Sequence, residues 1–510
     1  MRGRPVLLEG RRLGRRSSVV GRAAHPPPPL LSHSLSLSLS VDPDGRLVLF
    51  DEESLTTQKK FANVVAAWLL PAGYPESCAP QLGPYMFWRG IQYFFGGALS
   101  VLNPRTHART HARTHARTHS RTPFACRSLF SRSVLTTRSL LMSLGVANAH
   151  ASEASAAINW VIKDGAGRMG RFLFARIGGR SLDDKAKQWR LFGDGLMFMG
   201  ACGELSTSLA PAFFLPLACS ANLAKNLAAV AASATRAPIY RTFALESNLA
   251  DITAKAESVA NLSDVVGTAV GVLLLKRVPT LPAFGVLSVG YLVASRREVD
   301  SVELPYFNTA RLGLAVRDFL TSGTMPGVRE GNAREPLFPW IHKNARTRRI
   351  VLGASIAEAC GHDVGGAEAL ERAIAHHARG SNAYLLTYRP DTKCVYVLLR
   401  HTRAGDARTQ AAYEGCFAAL TLLHVLSGDD PEWPGKAHGP HTRELRQISK
   451  EWKRMNAAAE KSSSEFEREA LKFVARHGRT LFRAFDHEAQ AVGWLTRLNT
   501  LNTRDARFVR

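Results

Sequence analysis

Gly165-Ala166-Gly167-Arg168-Met169-Gly170 fits the pattern G-x-G-x-x-G and follows an apolar run, Ile158–Ile162. In a dinucleotide site such glycines let a pyrophosphate approach the N-terminus of a helix, inside a βαβ unit with an acidic residue about 20 positions on. Asp183 and Asp184 lie near that distance, but in a polar stretch, and the sequence upstream has helical rather than strand character. A glycine-loosened link between two helices is the plainer expectation for Gly165, Gly167 and Gly170. Three other constellations fall short. Gly435-Lys436 lacks both the earlier glycine and the following Ser or Thr of a phosphate loop. Ser288, with Gly285 and Gly290, is one residue off the nucleophile-elbow pattern. Cys360-x-His362 with His376-His377 lacks the paired spacing of a structural zinc site. No catalytic constellation emerges, so no reaction, metal or cofactor is assigned.

A different set carries more weight. Arg236, Arg241, Asn248, Asp251, Lys255 and Glu257 sit between apolar stretches, where ionisable groups are expensive and either pair or line a wet cavity. Asp251 and Lys255 stand at i, i+4, close enough to bridge on one helix face. Structural ion pairs between packed helices and a functional cavity are both open readings of these six residues.

The elements that must position them are mainly helical. Helices are expected over Val134–Ile162 and Arg168–Ile177, with Gly178-Gly179 as a stop. Upstream, Phe61–Leu102 holds apolar and aromatic clusters around the turn Leu70–Pro75. Leu205–Ala224 is twenty uncharged residues between Glu204 and Lys225, long enough for a bilayer but interrupted by Pro211 and Pro216. Val265–Leu275 and Leu281–Ser295 are shorter, and with Pro279 between them they suit a hairpin or re-entrant element. Lys276, Arg277, Arg296 and Arg297 would then stand at an interface, on the non-translocated side. Gly267-x-x-x-Gly271 lets two helices approach closely. The expected class is a mainly α, membrane-associated helical core over residues 41–300, followed by a smaller α+β region over 301–510. In that region Ala383–Tyr388 and Cys394–Leu399 are strands around the turn 389–392, Ala407–Leu426 is an amphipathic helix, and Arg443–Arg476 is one charged helix ending at His477-Gly478.

The net charge of +24 invites a nucleic-acid reading, but its placement argues against one. Residues 1–40 hold seven Arg and one acid, and residues 103–140 hold eight Arg and none, which together supply 14 of the 24. A nucleic-acid domain concentrates charge on a folded face; here it sits in two segments of biased composition. The first, 1–40, has the Arg/Ser-rich, acid-poor character of an organelle transit peptide. The second, within 103–132, is a run of T-H-A-R units. Ser100-Val101-Leu102 recurs beyond it as Ser133-Val134-Leu135, as if low-complexity sequence had been inserted at a junction. Seven scattered cysteines without a C-x-x-C suit reduced thiols in an intracellular compartment.

Several motifs follow one another in a fixed order. Gly73-Tyr74-Pro75 comes first, then Trp160-x-x-Lys163-Asp164-Gly165-x-Gly167-x-x-Gly170-Arg171 and Phe174-Ala175-Arg176. Asp184 follows, with Lys187-Gln188-Trp189-Arg190-Leu191, then Ala234-Thr235-Arg236-Ala237 and Asn248-Leu249-Ala250-Asp251-x-x-Ala254-Lys255. Their order and spacing resemble the root UVB sensitive family over roughly Phe61–Leu275, and Phe482–Leu495 with Gly493-Trp494 resembles that family's end. The resemblance implies a helical, non-enzymatic protein of an organelle membrane, a plastid's before a mitochondrion's. It implies a role in UV-B response, development or vitamin B6 homeostasis, with the membrane and another member of the same family as partners and no nucleic acid. The T-H-A-R run splits a portion that is continuous in the family, and Ala256–Ala260 departs from the Lys-Asp-Gly-Ser-Gln type of some members. The alternative is a peripheral module binding a nucleotide or pyridoxal phosphate through Gly165–Gly170 and Arg236.

Overall fold

The computed structural model of the chain describes residues 37–41, 47–51, 68–102, 153–207, 210, 213–337, 346–361, 368, 370–371, 374–375, 383–401, 405–431, 442–458, 464–498 and 500–501. They fall into two units divided between Leu70 and Pro71. In the first, β1 (Leu37–Val41) pairs antiparallel with β2 (Leu47–Asp51), Leu39 opposite Leu49. Leu37–Ser40, where Leu and Ser alternate at the end of the expected leader, is therefore strand, since apolar residues at every second position suit a pleated ribbon. The rest of the leader and the T-H-A-R run lie outside the described residues.

The second unit begins with a helical core. It contains α1 (Leu82–Leu102), α2 (Glu153–Asp184), α3 (Ala186–Ser206), α4 (Phe214–Phe243), α5 (Leu249–Arg277) and α6 (Thr280–Asp300). α1 packs between α5 and α6, α4 packs on both α2 and α3, and α3 reaches α6. The closest crossing is that of α1 and α5. A methyl group built on Gly267 would meet the Phe94 carbonyl, one on Gly97 the Asp264 carbonyl, and one on Gly271 the Ala98 carbonyl. The small-residue spacing of Gly267 and Gly271 thus has its partner in α1, a helix that the sequence showed only as aromatic clusters.

The structure bears on two sequence expectations about this core. The uncharged stretch Leu205–Ala224 is interrupted, as its prolines imply: α3 ends at Ser206 and α4 starts at Phe214, with Pro211 between them in the sequence. Pro216 is tolerated in the first turn of α4, where its missing N–H has no intrahelical acceptor to lose. The glycine motif is neither a loop nor a link, because α2 runs through it and through Gly178-Gly179 as well. Gly167 and Gly170 lie against Asn222, Leu223 and Asn226 of α4, so close packing offsets the roughly 1 kcal/mol that each glycine costs a helix interior. One described helix, α5, is long and apolar enough over Leu249–Leu274 to cross a bilayer, with mean hydropathy 1.2.

Beyond α6 lie α7 (Thr309–Ser322), α8 (Val328–Ala333), β3 (Ile350–Leu352), α9 (Ile356–Cys360), β4 (Tyr384–Arg389), β5 (Cys394–Leu399), α10 (Gly405–Leu426), α11 (Thr442–Ala458) and α12 (Ser464–Ala491). β4 and β5 form the expected hairpin, Tyr384 opposite Leu399, and β3 adds in parallel to β5. The single charged helix expected over Arg443–Arg476 is two helices. α12 passes through Gly478, which is buried, and turns Arg476 and His477 toward Glu451 of α11 at 2.6 and 3.0 Å. The sheet, α7, α10, α11 and α12 enclose one aromatic core around Phe307, Tyr413, Phe417, Phe482, Phe485 and Trp494. Phe307 stacks on Trp494 with centroids 4.4 Å apart, and the Trp494 indole donates to the Pro326 carbonyl at 2.9 Å. The six described cysteines are free thiols.

Candidate functional site

The helical core hides a chain of charges. Arg89 of α1 donates to Glu298 of α6 at 3.3 Å and to Glu257 of α5 at 2.9 Å. Arg190 of α3 reaches both oxygens of Glu298 at 3.2 Å, and it lies 3.6 Å from Asp194, one turn along its own helix. Arg236 of α4 closes the other end, 3.3 Å from Glu257. Three guanidinium groups and three carboxylates therefore alternate across five helices. Neutral groups complete the set. Tyr240 donates to Glu257 at 3.2 Å, Ser295 to Asp194 at 2.6 Å, and Arg190 donates to Gln92 at 3.1 Å.

This network has a dry end and a wet end. The side chains of Arg89 and Glu298 are wholly buried, that of Arg190 is 4% exposed, and Arg236 and Glu257 are 30% and 31% exposed. Charges in an apolar interior persist only when paired and hydrogen-bonded, and removing one partner strands the other. Among the described residues Arg89 Nε and Arg236 Nε have no hydrogen-bond partner, although both atoms are buried. The carboxylates are engaged by guanidinium and hydroxyl groups, an arrangement that fixes helix positions rather than one that leaves a base poised for proton abstraction.

The six polar residues singled out in the sequence divide into groups. Arg236 and Glu257 belong to the network. Asn248 and Asp251 instead clamp the turn that precedes α1: Asn248 donates to the Ser77 carbonyl at 3.0 Å, and Asp251 accepts the Ala72 N–H at 2.7 Å. Arg241 is exposed and Lys255 half-buried on α5. Arg89 and Glu298, the centre of the network, were missed by the sequence reading. The available signal was Arg89 itself, the one charge in the aromatic run Tyr85–Leu102. Ser288 is buried in α6, away from any strand-to-helix turn. Gly435, Lys436, His362, His376 and His377 lie outside the described residues. No group of three or more His, Cys, Asp or Glu side chains is placed to hold a metal among the described residues.

A second buried polar set joins the helical core to the region beyond it, and the motif Asp184…Lys187-Gln188-x-Arg190 supplies most of it. Asp184 accepts from the N–H and hydroxyl of Thr309 at 3.0 Å, at the start of α7. Lys187 donates to the Val302 carbonyl at 2.9 Å and to Asn332 at 3.5 Å, and Gln188 to the Pro336 carbonyl at 2.9 Å. Alongside, the fully buried Arg311 and Glu335 pair at 2.7 Å, and Asn308 both caps α7 and donates to Glu335. Burial pushes the Lys187 ammonium down to about 8, against the pull of Glu335. Burial likewise raises the Asp184 carboxyl, opposed by its bonds from Thr309.

Comparison with known proteins finds the same order of segments. A family model described as "Vitamin B6 photo-protection and homoeostasis domain" matches residues 55–111 and 125–323, breaking off inside the T-H-A-R run. A second, "Root UVB sensitive protein, C-terminal", matches 324–508. "Protein root UVB sensitive 6" of Arabidopsis thaliana is 38% identical over 379 residues, covering 74% of this chain and 67% of the relative. "Protein root UVB sensitive 2, chloroplastic", also of Arabidopsis thaliana, is 30% identical over 60% of this chain and 64% of its own. "RUS family member 1" of Dictyostelium discoideum is 29% identical over 57% of this chain and 50% of its own, so this chain spans under two thirds of the latter two relatives. No solved structure matches the chain.

Proposed function

Because the chain belongs to the root UVB sensitive family, we propose that it is a non-enzymatic organelle-membrane protein serving vitamin B6 homeostasis and photo-protection. The observation that carries the membrane part is the orientation of α5 and α6. Their charged residues Glu257 and Glu298 turn inward, whereas Leu262, Val265, Val266 and Leu273 of α5 and Leu281, Val286, Val289 and Val293 of α6 face outward, each between 47% and 72% exposed. Exposed apolar surface of this extent on the two helices that flank α1 marks a membrane or protein contact. The outward apolar parts are each about 20 Å long at 1.5 Å per residue, shorter than the roughly 30 Å hydrocarbon core. They therefore suit a hairpin lying shallow in the membrane surface, so that Arg277 at its turn and Arg296 and Arg297 at its other end all stay at the interface. The chloroplast in one relative's name supports a plastid, and a second family member is an expected partner.

Alkaline carbonate extraction of organelle membranes tests the location: the chain stays with the pellet, and Val266→Asp with Val289→Asp, both at exposed positions, moves it to the supernatant. Release of the unaltered chain by carbonate removes the reading. For the B6 role, cells lacking the chain show an altered pyridoxal phosphate content that the unaltered gene restores; an unchanged content removes that half. The alternative, a nucleotide or pyridoxal phosphate module at Gly165–Gly170, loses its physical basis, because these glycines lie inside α2 and present no helix N-terminus to a phosphate.

A further inference from the structure

Among the described residues, one face of α2 has no partner. Its inward side, carrying Gly167, Gly170 and Phe174, packs on α4 and on Trp189 of α3. On the opposite side Val161, Ile162, Met169, Phe172 and Leu173 are 48–68% exposed. At 100° per residue these five fall within an arc of about 120°, and the stripe from Val161 to Arg176 is roughly 22 Å long. Arg176 lies within that arc, Arg168 about 20° outside it and Arg171 about 80° outside it. All three are exposed, and none forms an ion pair among the described residues.

We propose that this face of α2 lies in the headgroup layer of an anionic membrane leaflet, its apolar side chains inserted and Arg168, Arg171 and Arg176 paired with lipid phosphates. The proposal deepens the membrane reading above and rests on it, by naming a second contact and the lipid class. A helix with apolar residues on one face and basic residues among and beside them is the form that binds such surfaces in plane. Long arginine side chains keep their heads at the phosphates while their stems lie along the apolar stripe. Charge also decides against a second copy of the same face as the occupant. Two such faces brought together would set the three guanidinium groups of one near the three of the other, with only the half-buried Asp164 of each copy to offset them.

Flotation of the full chain with phosphatidylcholine vesicles, and with vesicles about one third phosphatidylglycerol, tests the proposal. Anionic vesicles are expected to bind roughly a hundredfold more tightly, from the attraction of three basic side chains to a negative surface. The triple variant Arg168→Gln, Arg171→Gln, Arg176→Gln loses that gain, and Phe172→Ser with Leu173→Ser weakens binding to anionic vesicles; both keep the unaltered thermal midpoint, since every changed side chain is exposed. Equal binding to the two vesicles, with neutral binding intact, overturns the proposal and leaves the hairpin reading standing. A gain that survives the triple variant overturns it as well, as does a change in the chain's mass in solution on Phe172→Ser with Leu173→Ser, which makes the face a protein contact. Anionic binding that the triple variant abolishes, without binding to neutral vesicles, upholds α2 and removes the hairpin.

Discussion

Arg89 and Glu298 meet at 3.3 Å with neither side chain exposed to water, and Arg190 approaches the same carboxylate from a third helix at 3.2 Å. Glu298→Ala therefore removes the carboxylate that two buried cations share, leaving Arg89 only Glu257 and Arg190 only Asp194. The expected cost is about 3–5 kcal/mol, measured as a fall in unfolding free energy on chemical denaturation. Adding Arg89→Met to Glu298→Ala costs less than the two single changes combined, because one of the two cations goes with its partner.

Lys187 makes stability depend on pH in a defined direction. Its ammonium is pushed from 10.5 down to about 8 by burial. Between those values the unfolded chain holds a proton that the folded chain has released, so stability rises with pH. Below pH 8 the cost of burying the charge stands in full; by pH 10.5 roughly 3 kcal/mol has been relieved. The denaturation midpoint of the unaltered chain is expected to gain on that of Lys187→Met as pH rises through this window. A constant difference between them rules out Lys187 as the titrating group.

Glycines at two positions in the helical core respond oppositely to substitution. Gly267→Val drives a branched side chain into the Phe94 carbonyl and is expected to lower stability by several kcal/mol, since rigid backbone cannot yield. Gly165 has nothing within 4 Å of a built methyl group, so Gly165→Ala is neutral or stabilises by up to roughly 1 kcal/mol. Thermal midpoints of the two variants check both signs.

Trp494 ties the end of the chain to the start of the region beyond α6. It stacks on Phe307, donates to the Pro326 carbonyl, and lies against Gly331. Trp494→Ala is expected to cost about 3–5 kcal/mol, and Trp494→Phe less, because the stack survives while the hydrogen bond is lost. Unfolding followed by near-ultraviolet circular dichroism measures both.

The local parts of this fold were legible in the sequence. Tyr384–Leu399 announces a hairpin through its alternation and turn, and the helix to Leu426 through its periodicity. The glycine pair 267/271 correctly signalled a close crossing. What escaped were features decided at long range. Arg89 and Glu298 are 209 residues apart, and neither looks unusual beside its own neighbours. The glycines of α2 mimic a phosphate loop because a close helix crossing and a close phosphate approach both call for a missing Cβ. The motif Asp184…Arg190 was visible only as a resemblance; its physical role, gripping Thr309, Val302, Pro336 and Glu298, depends on elements that come more than a hundred residues later.

The alternating charges also bear on how the helical core assembles during synthesis. α1 contributes one positive charge, α5 and α6 one negative charge each, and the Arg236 of α4 restores the balance, while Arg190 and Asp194 of α3 cancel. α1 with either neighbour alone is neutral, but α1 with both carries one excess negative charge until Arg236 of α4 joins. A ribosome releases Arg89 long before Glu298, so the first helix has only Glu257 of α5 to meet its guanidinium until the last arrives. A chain stopped anywhere before α6 is left with an unmatched cation and should present itself to quality-control proteases as unfinished.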